Sequence, residues 1–430
     1  MGSIDHNAGL LDDDFSSYEQ VYLMMSRAFK HLDKEHWGIY CICSIHYDAL
    51  TGTDIIGALR DAWMRLVIEY PRLSMVPDGL HKQYPRLDKT NILALYYLPT
   101  SSEVVLLIQH WRADGLGACM LLDRLFDLLA ESNNPSNPGD LSEPNPPSPS
   151  PSLESAAAAS TAEDPEIQAY ARDYIDNFHK RAVNAGGLPF RGDATTPPSR
   201  PAHYNVEFPA SHTTAIATAC KHRNISVSAA IHTALARTVF SYLPEPERAL
   251  GYTTVMAVNM RPYLPSPYNL KTHACQTYVA SITPTVRYDS CFVDAARSLT
   301  GEYQNWWSEK FMHSLCWIYK YHLAKLSAGR RPPSEGSAPT KPPSGVTLSS
   351  LGVVEKNLRG SYGERVKVTE FRFGVNMMTR QMILYAWTFK GRLGLSLCYN
   401  EAYYDKGMAR EVVERVAEHL AEGLELKVDS

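Results

Sequence analysis

Two stretches of this chain cannot build a core of their own, and they constrain how everything else can fold. Residues 131–165 (ESNNPSNPGDLSEPNPPSPSPSLESAAAASTAEDP) are rich in Pro, Ser and Asn and nearly free of large apolar side chains. Burial cannot offset the entropy lost on ordering such a segment. Residues 327–345 (SAGRRPPSEGSAPTKPPSG) repeat the pattern on a smaller scale. The first is read as a flexible linker between two halves, residues 1–185 and 186–430. The second is read as a surface loop within the later half. Outside them, a chain of 430 residues with 44% hydrophobic and 20% charged side chains has enough material for two ordinary cores. No internal repeat of fixed period occurs.

Charge and cysteine usage narrow the class. The formal charge is −4, so no basic field exists to hold a phosphate backbone or an anionic leaflet, and nucleic acid is excluded as a partner. The eight cysteines are scattered. Cys41 and Cys43, the one close pair, have strand spacing rather than the spacing of a CxxC ligand pair, so the set is read as reduced core thiols. Met1 to Asp14 is polar and acidic, without a basic or apolar targeting region, and His6 stands where myristoylation wants Ser or Thr. No run of about 18 uncharged apolar residues is present, so no membrane span is expected. The expectation is a cytoplasmic protein.

Periodicity places the elements. Trp37–Tyr47 (WGIYCICSIHY) predicts a strand, followed by a helix with Thr51 or Thr53 as cap and Ile55, Leu59 and Trp63 on one face. Pro71 closes that helix. Asn91–Pro99 and Glu103–His110 predict adjacent strands, and from Gly117 the pattern turns helical. In the later half, His203–Phe208 predicts a strand, and Ser211–His222 and Ser226–Leu243 predict helices, the second capped by Ser226. Gly251–Met260 and Thr277–Ile282 predict strands, and Phe292 to about Leu326 an aromatic-rich helical stretch. Strands over Val346–Val354, Val366–Phe373, Gln381–Phe389 and Leu393–Tyr399 precede a terminal helix, Lys406–Leu424. Strands and helices mix without strict alternation, which favours two open α/β layered halves over a single barrel.

The segment that carries chemistry is His110-Trp111-Arg112-Ala113-Asp114-Gly115. A His followed at this spacing by Asp-Gly arises by chance in roughly one chain in twenty of this composition. Its placement is what distinguishes it: the His ends an apolar strand, Asp-Gly makes a turn, and an amphipathic helix follows. A hydroxyl attacking a thioester must lose its proton as it bonds. Imidazole, with a pKa near neutrality, can take that proton and pass it to the departing thiolate. Asp114, with its short side chain, is expected to point away from His110 into a buried pair with a cation and so fix the turn. No GxxxxGK[ST], HExxH or GxSxG is present. Arg330, Arg331 and Lys341 read as solvated loop charges. Trp306 and Trp307 read as core packing or as the lining of an acceptor pocket.

His110–Gly115 resembles the HxxxDG box shared by plant-type BAHD acyltransferases, peptide-synthetase condensation domains and fungal trichothecene-type acetyltransferases. Val258-Asn259-Met260-Arg261-Pro262 resembles the Asn-x-Arg-Pro strand end of condensation-like members. Thr347–Gly352 (TLSSLG) resembles their Ser-containing tunnel strand, and Gly391–Tyr404 their closing strand. The best overall match is the fungal secondary-metabolite O-acyltransferase branch. The resemblance implies two chloramphenicol-acetyltransferase-like α/β sandwich halves with a tunnel between them, and no bound metal or redox cofactor. It implies acyl-CoA as co-substrate, a small-molecule alcohol as acceptor, and a monomer. It further implies His110 as general base, Asp114 paired with Arg261, Gly115 in the catalytic turn, and Ser349 or Ser350 as donor to the oxyanion. Two departures stand out. Gln109 occupies the place of a second His found in condensation domains, and Glu370–Val375 (EFRFGV) is only weakly like the plant DFGWG loop. They leave open a carrier-protein thioester as donor, or a cyclase, pericyclase or isomerase on the same fold that uses no acyl donor.

Overall fold

The computed structural model describes residues 15–48, 54–74, 93–131, 148–183, 186–329 and 342–426. Its strands, in chain order, are Ile39–Tyr47 (β1), Ala94–Leu98 (β2), Glu103–Ile108 (β3), Pro201–Glu207 (β4), Tyr252–Thr253 (β5), Met256–Asn259 (β6) and Val279–Ile282 (β7). They continue with Thr285–Val286 (β8), Val346–Val353 (β9), Ser361–Tyr362 (β10), Val366–Val375 (β11), Met382–Phe389 (β12) and Arg392–Asn400 (β13).

The first sheet has the order β10-β11-β1-β3-β2. In β1, Ile39, Cys41, Cys43 and Ile45 are buried in strict alternation, so one face of the strand is committed to a core. The helices Ile55–Glu69 and Gly115–Glu131 supply that core with Leu59, Leu66, Leu122, Leu125 and Phe126. The second sheet, β4-β13-β12-β9, is covered by the helices Val227–Tyr242, Phe292–Asn305 and Lys406–Gly423. Ser226 caps the first of these by accepting from the amide of Ala229 at 3.1 Å. A third cluster joins Ser17–Ser26, Pro165–Val183 and Leu315–Gly329 through Tyr18, Ile175, Leu315 and Ile318. The two sheets and the helices that cover them form two layered halves.

The sheets are not divided as the halves of the sequence are. β11 pairs antiparallel with β1 from Ile39 opposite Val375 to Tyr47 opposite Val366, with a shift in register at Ser44/Ile45. Val366, Val368, Phe371 and Phe373 thereby enter the first core. The chain leaves the second sheet after β9, completes the first, and returns as β12, which lies parallel to β9.

Several expectations need correction. The stretch 131–165 is not all unpacked. Leu153 and Ala156 are fully buried, Glu154 accepts from the amide of Tyr18 at 2.9 Å, and the Pro151 carbonyl accepts from Gln276 Nε2 and Tyr278 Oη, both at 3.0 Å. Neighbouring elements provide the apolar surface and the polar partners, so the segment docks without a core of its own. In the second loop, Ser344 is buried and its carbonyl accepts from the amide of Leu188 at 3.0 Å. Thr51, Thr53, Arg330, Arg331 and Lys341 lie outside the described residues, and Asp54 caps the helix that begins at Ile55. The strand expected over Gly251–Met260 is broken into β5, paired with β8, and β6, paired with β7. Pro284, which has no amide hydrogen, interrupts the opposing ladder there. Of the eight cysteines six are buried, Cys316 is half-buried and Cys291 is exposed, so the core reading fails for the last two. Among the described residues no helix is long and apolar enough to cross a membrane.

Candidate active site

β3 delivers His110 to its site. Val104, Leu106 and Ile108 anchor the strand in the first core, and the chain then turns sharply into the helix Gly115–Glu131. The Gln109 carbonyl accepts from the amides of Arg112 and Ala113, at 3.0 and 3.4 Å, and so folds the chain back on itself. Trp111 and Arg112 point away from the cavity. Trp111 is buried edge-on against Phe15, and the Arg112 guanidinium lies over it. Arg112 donates to the carbonyls of Arg72 and Leu73 and to Gln109 Oε1. Gln109 is therefore part of the support of the turn, and neither bulky residue narrows the cavity.

Asp114 ties this turn to the later part of the chain. Its Oδ1 accepts from the amide of Gly117 at 2.8 Å, capping the helix. Its Oδ2 accepts from Arg261 Nη1 at 2.7 Å and from the amide of Tyr278 at 2.8 Å. Both side chains of the ion pair are sealed, at 2% and 3% exposure. Arg261 Nη2 donates to the Gln276 carbonyl at 3.2 Å. Asp114 makes no hydrogen bond to His110; it acts on the imidazole only through its charge and through the turn. Close packing dictates the glycines. A Cβ on Gly115 would stand 2.8 Å from Leu351 Cδ2 and 3.0 Å from Phe373 Cζ, and one on Gly117 would stand 2.3 Å from the Ala274 carbonyl oxygen.

His110 is enclosed by protein yet half-buried by surface, because one edge of its ring opens into a cavity of about 310 Å³. Tyr22 stacks on the ring at 5.0 Å and 27°, and Trp37 leans against it at 6.0 Å. Nδ1 is sealed and has no hydrogen-bond partner of regular geometry. Thr277 Oγ1 donates to the His110 carbonyl from outside the cavity. Nε2 bonds no described residue and is not sealed, so the open edge is the basic one. Burial lowers the His110 pKa below its ordinary value, with the carbonyl and the Asp114 charge acting in the opposite direction. The ring is neutral at pH 7.

Of the residues singled out from sequence, His110, Asp114, Gly115, Ser349 and Ser350 line this one cavity. Arg261 stands behind Asp114 and does not reach the cavity. Ser349 lies opposite Tyr385 in the parallel β9–β12 ladder. The Ser350 hydroxyl is engaged with that of Ser228 at 2.9 Å. Trp306 packs against Tyr263 and Phe311, and Trp307 stacks on Tyr263, so neither lines an acceptor pocket. Sequence reasoning misses Tyr22, Trp37 and Tyr385. Tyr22 belongs to a helix with a sequence-visible capping box, Ser16 and Glu19, which could have placed it. Trp37 is not in a strand at all but at φ 62°, which nothing in the pattern announces. Among the described residues no cluster of His, Cys, Asp and Glu is arranged to hold a metal ion.

No family model matches the chain. It is 65% identical to azaphilone biosynthesis cluster protein M of Aspergillus terreus, over the full length of both chains. It is 44% identical to the O-acetyltransferase pigM of Monascus ruber, over 98% of this chain and 87% of that one. Among solved structures it is similar to the TRI3 trichothecene 15-O-acetyltransferase of Fusarium sporotrichioides, with a TM-score of 0.70 at 13% identity over 95% of this chain and 94% of that one. Those relatives, with the two-layered fold described above, identify the chain as a member of the fungal pigment-cluster O-acetyltransferase family of the chloramphenicol-acetyltransferase-like fold.

Proposed function

We propose that this chain moves an acyl group, acetyl in the simplest case, from acyl-CoA to a hydroxyl of an azaphilone-type polyketide alcohol, with His110 as general base. The observation that carries this reading is the unpartnered Nε2 edge of a neutral His110 opening into a largely apolar cavity lined by residues from both ends of the chain. The acceptor hydroxyl gives its proton to Nε2 as its oxygen bonds to the thioester carbonyl carbon. The carbonyl oxygen becomes an oxyanion in the tetrahedral intermediate. Collapse breaks the carbon–sulfur bond, and the imidazolium returns the proton to the thiolate, leaving ester, thiol and a neutral base.

Ser349, whose hydroxyl is not tied to Ser228 as that of Ser350 is, serves as the oxyanion donor. Asp114 and Arg261 hold the turn and do not transfer protons. The apolar rings of Tyr22, Trp37 and Phe373 exclude bulk water, which protects the thioester from hydrolysis. The test is His110→Ala, incubated with acetyl-CoA and candidate polyketide alcohols, with the products read by mass spectrometry. A loss of about 10²–10⁴-fold in ester formation is expected. Undiminished ester formation by the variant would remove His110 from the mechanism.

A further inference from the structure

The cavity contains a second imidazole that the chemistry above does not use. His322, on the helix Leu315–Gly329, lines it together with Phe178 of the helix Pro165–Val183. It has no ring contact with His110. The aromatic chain between them runs from His110 to Tyr22, Tyr18 and Tyr319, and the Tyr319 ring lies 6.4 Å from His322. A ligand large enough to fill the cavity can therefore meet the two imidazoles with different parts of its skeleton.

His322 is held, not loose. Its Nδ1 lies 3.1 Å from Nε2 of His179, one nitrogen donating and the other accepting. Phe178 packs edge-on against its ring at 5.6 Å and 83°. One turn away on each of the same two helices, Asp176 and Lys325 form an ion pair that fixes their register. Burial holds both imidazoles below their ordinary pKa, His322 at about 4, with each helped by a neighbouring positive or potentially positive group. The dyad is thus neutral at pH 7. Nε2 of His322 bonds no described residue and is not sealed. In a cavity otherwise dominated by apolar surface, a fixed polar atom of this kind decides which ligand fits.

We infer that His322, oriented by His179, is a specificity-determining residue that hydrogen-bonds an oxygen of the acceptor, a ketone carbonyl or a second hydroxyl, remote from the hydroxyl that is acylated. The inference rests on the reading of this cavity as the acceptor site. A site built to hydrogen-bond an oxygen discriminates against an analogue that lacks it, because the protein's own polar atom is then left unpaired.

The experiment uses a matched pair of probes, a naphthyl secondary alcohol carrying a distal acetyl group and its counterpart with ethyl in place of acetyl. Binding to the full chain is measured by quenching of tryptophan fluorescence with no acyl donor present, so failure of acyl transfer leaves the result readable. The wild type should bind the acetyl member about tenfold more tightly, the effect of one net hydrogen bond. His322→Leu should bind both alike, His322→Gln should restore part of the preference, and His179→Leu should weaken it. A wild type that binds both members alike or binds neither would overturn the inference, as would a His322→Leu variant that melts like the wild type and retains the preference.

Discussion

Breaking the Asp114–Arg261 pair from either side should cost unequal amounts, and the structure says which side costs more. Arg261→Met leaves Asp114 with the amides of Gly117 and Tyr278, both at 2.8 Å, so the carboxylate keeps two of its three donors. Asp114→Ala leaves a sealed guanidinium with the Gln276 carbonyl and no counter-charge, and also strands two buried amides. Removing one member of a buried pair costs on the order of 3–5 kcal/mol. Each stranded amide adds about 1–3 kcal/mol. Asp114→Ala should therefore be the less stable single variant by about 2 kcal/mol or more, on that same scale. The double variant should be more stable than the sum of the singles by about 2 kcal/mol, because no orphan charge remains. Urea unfolding at pH 7 followed by circular dichroism reads all four proteins. Equal midpoints for wild type and both singles, or strictly additive losses in the double variant, would refute the assignment of Asp114 as a structural tie.

With His110 as the proposed base, its neutral form would be the active one, and burial lowers its pKa, so activity should persist as pH falls through 6.5 and be lost only on passing the lower folded value; an acid limb of kcat/KM centred above 6.5 would contradict this. Gly117→Ala drives a Cβ into the Ala274 backbone carbonyl and should exceed the usual overpacking cost of about 1–3 kcal/mol. Gly115→Ala meets two side chains that can yield, so it should reduce turnover more than it lowers the melting temperature. His36 and His232, 2% and 0% exposed, are held neutral with pKa values near 3 and 4. Both take up protons on unfolding once the pH drops below about 6.5, so stability should fall by about 3 kcal/mol per pH unit between roughly pH 6 and 4. Unfolding midpoints that do not move between pH 7 and 5 would show that those two rings are not sealed.

What could be read from the sequence is what local chemistry decides. The alternation of Ile39, Cys41, Cys43 and Ile45, the Ser226 cap and the strand-turn-helix around His110 all depend on residues within a few positions of one another. The meeting of Asp114 with Arg261 was accessible only through likeness to a family, since no spacing rule links residues so far apart. Three features escaped for a common physical reason. Leu153 and Ala156 are buried because other helices cover them, not because their own segment is apolar. Trp37 holds a left-handed backbone conformation because Asn376 takes its amide and the rings of His36 and Tyr22 bracket its indole. His322 lines the cavity with its ring held by His179, which sits on another helix. Each depends on a partner that periodicity cannot name.

The exchange of β11 into the first sheet has a consequence for how the protein is made. β1 leaves the ribosome early and can find β3 soon afterwards, but its other edge stays unpaired until Val366–Val375 has been synthesised. At about 5–20 residues per second, that wait is on the order of tens of seconds. For that time Cys41, Cys43 and Ile45 belong to a core still missing Phe371 and Phe373, beside an open strand edge of the kind that templates aggregation. Nascent chains stalled before residue 366 should therefore be captured by chaperones or precipitate, whereas release of the complete chain lets the last strands close the edge in one cooperative step.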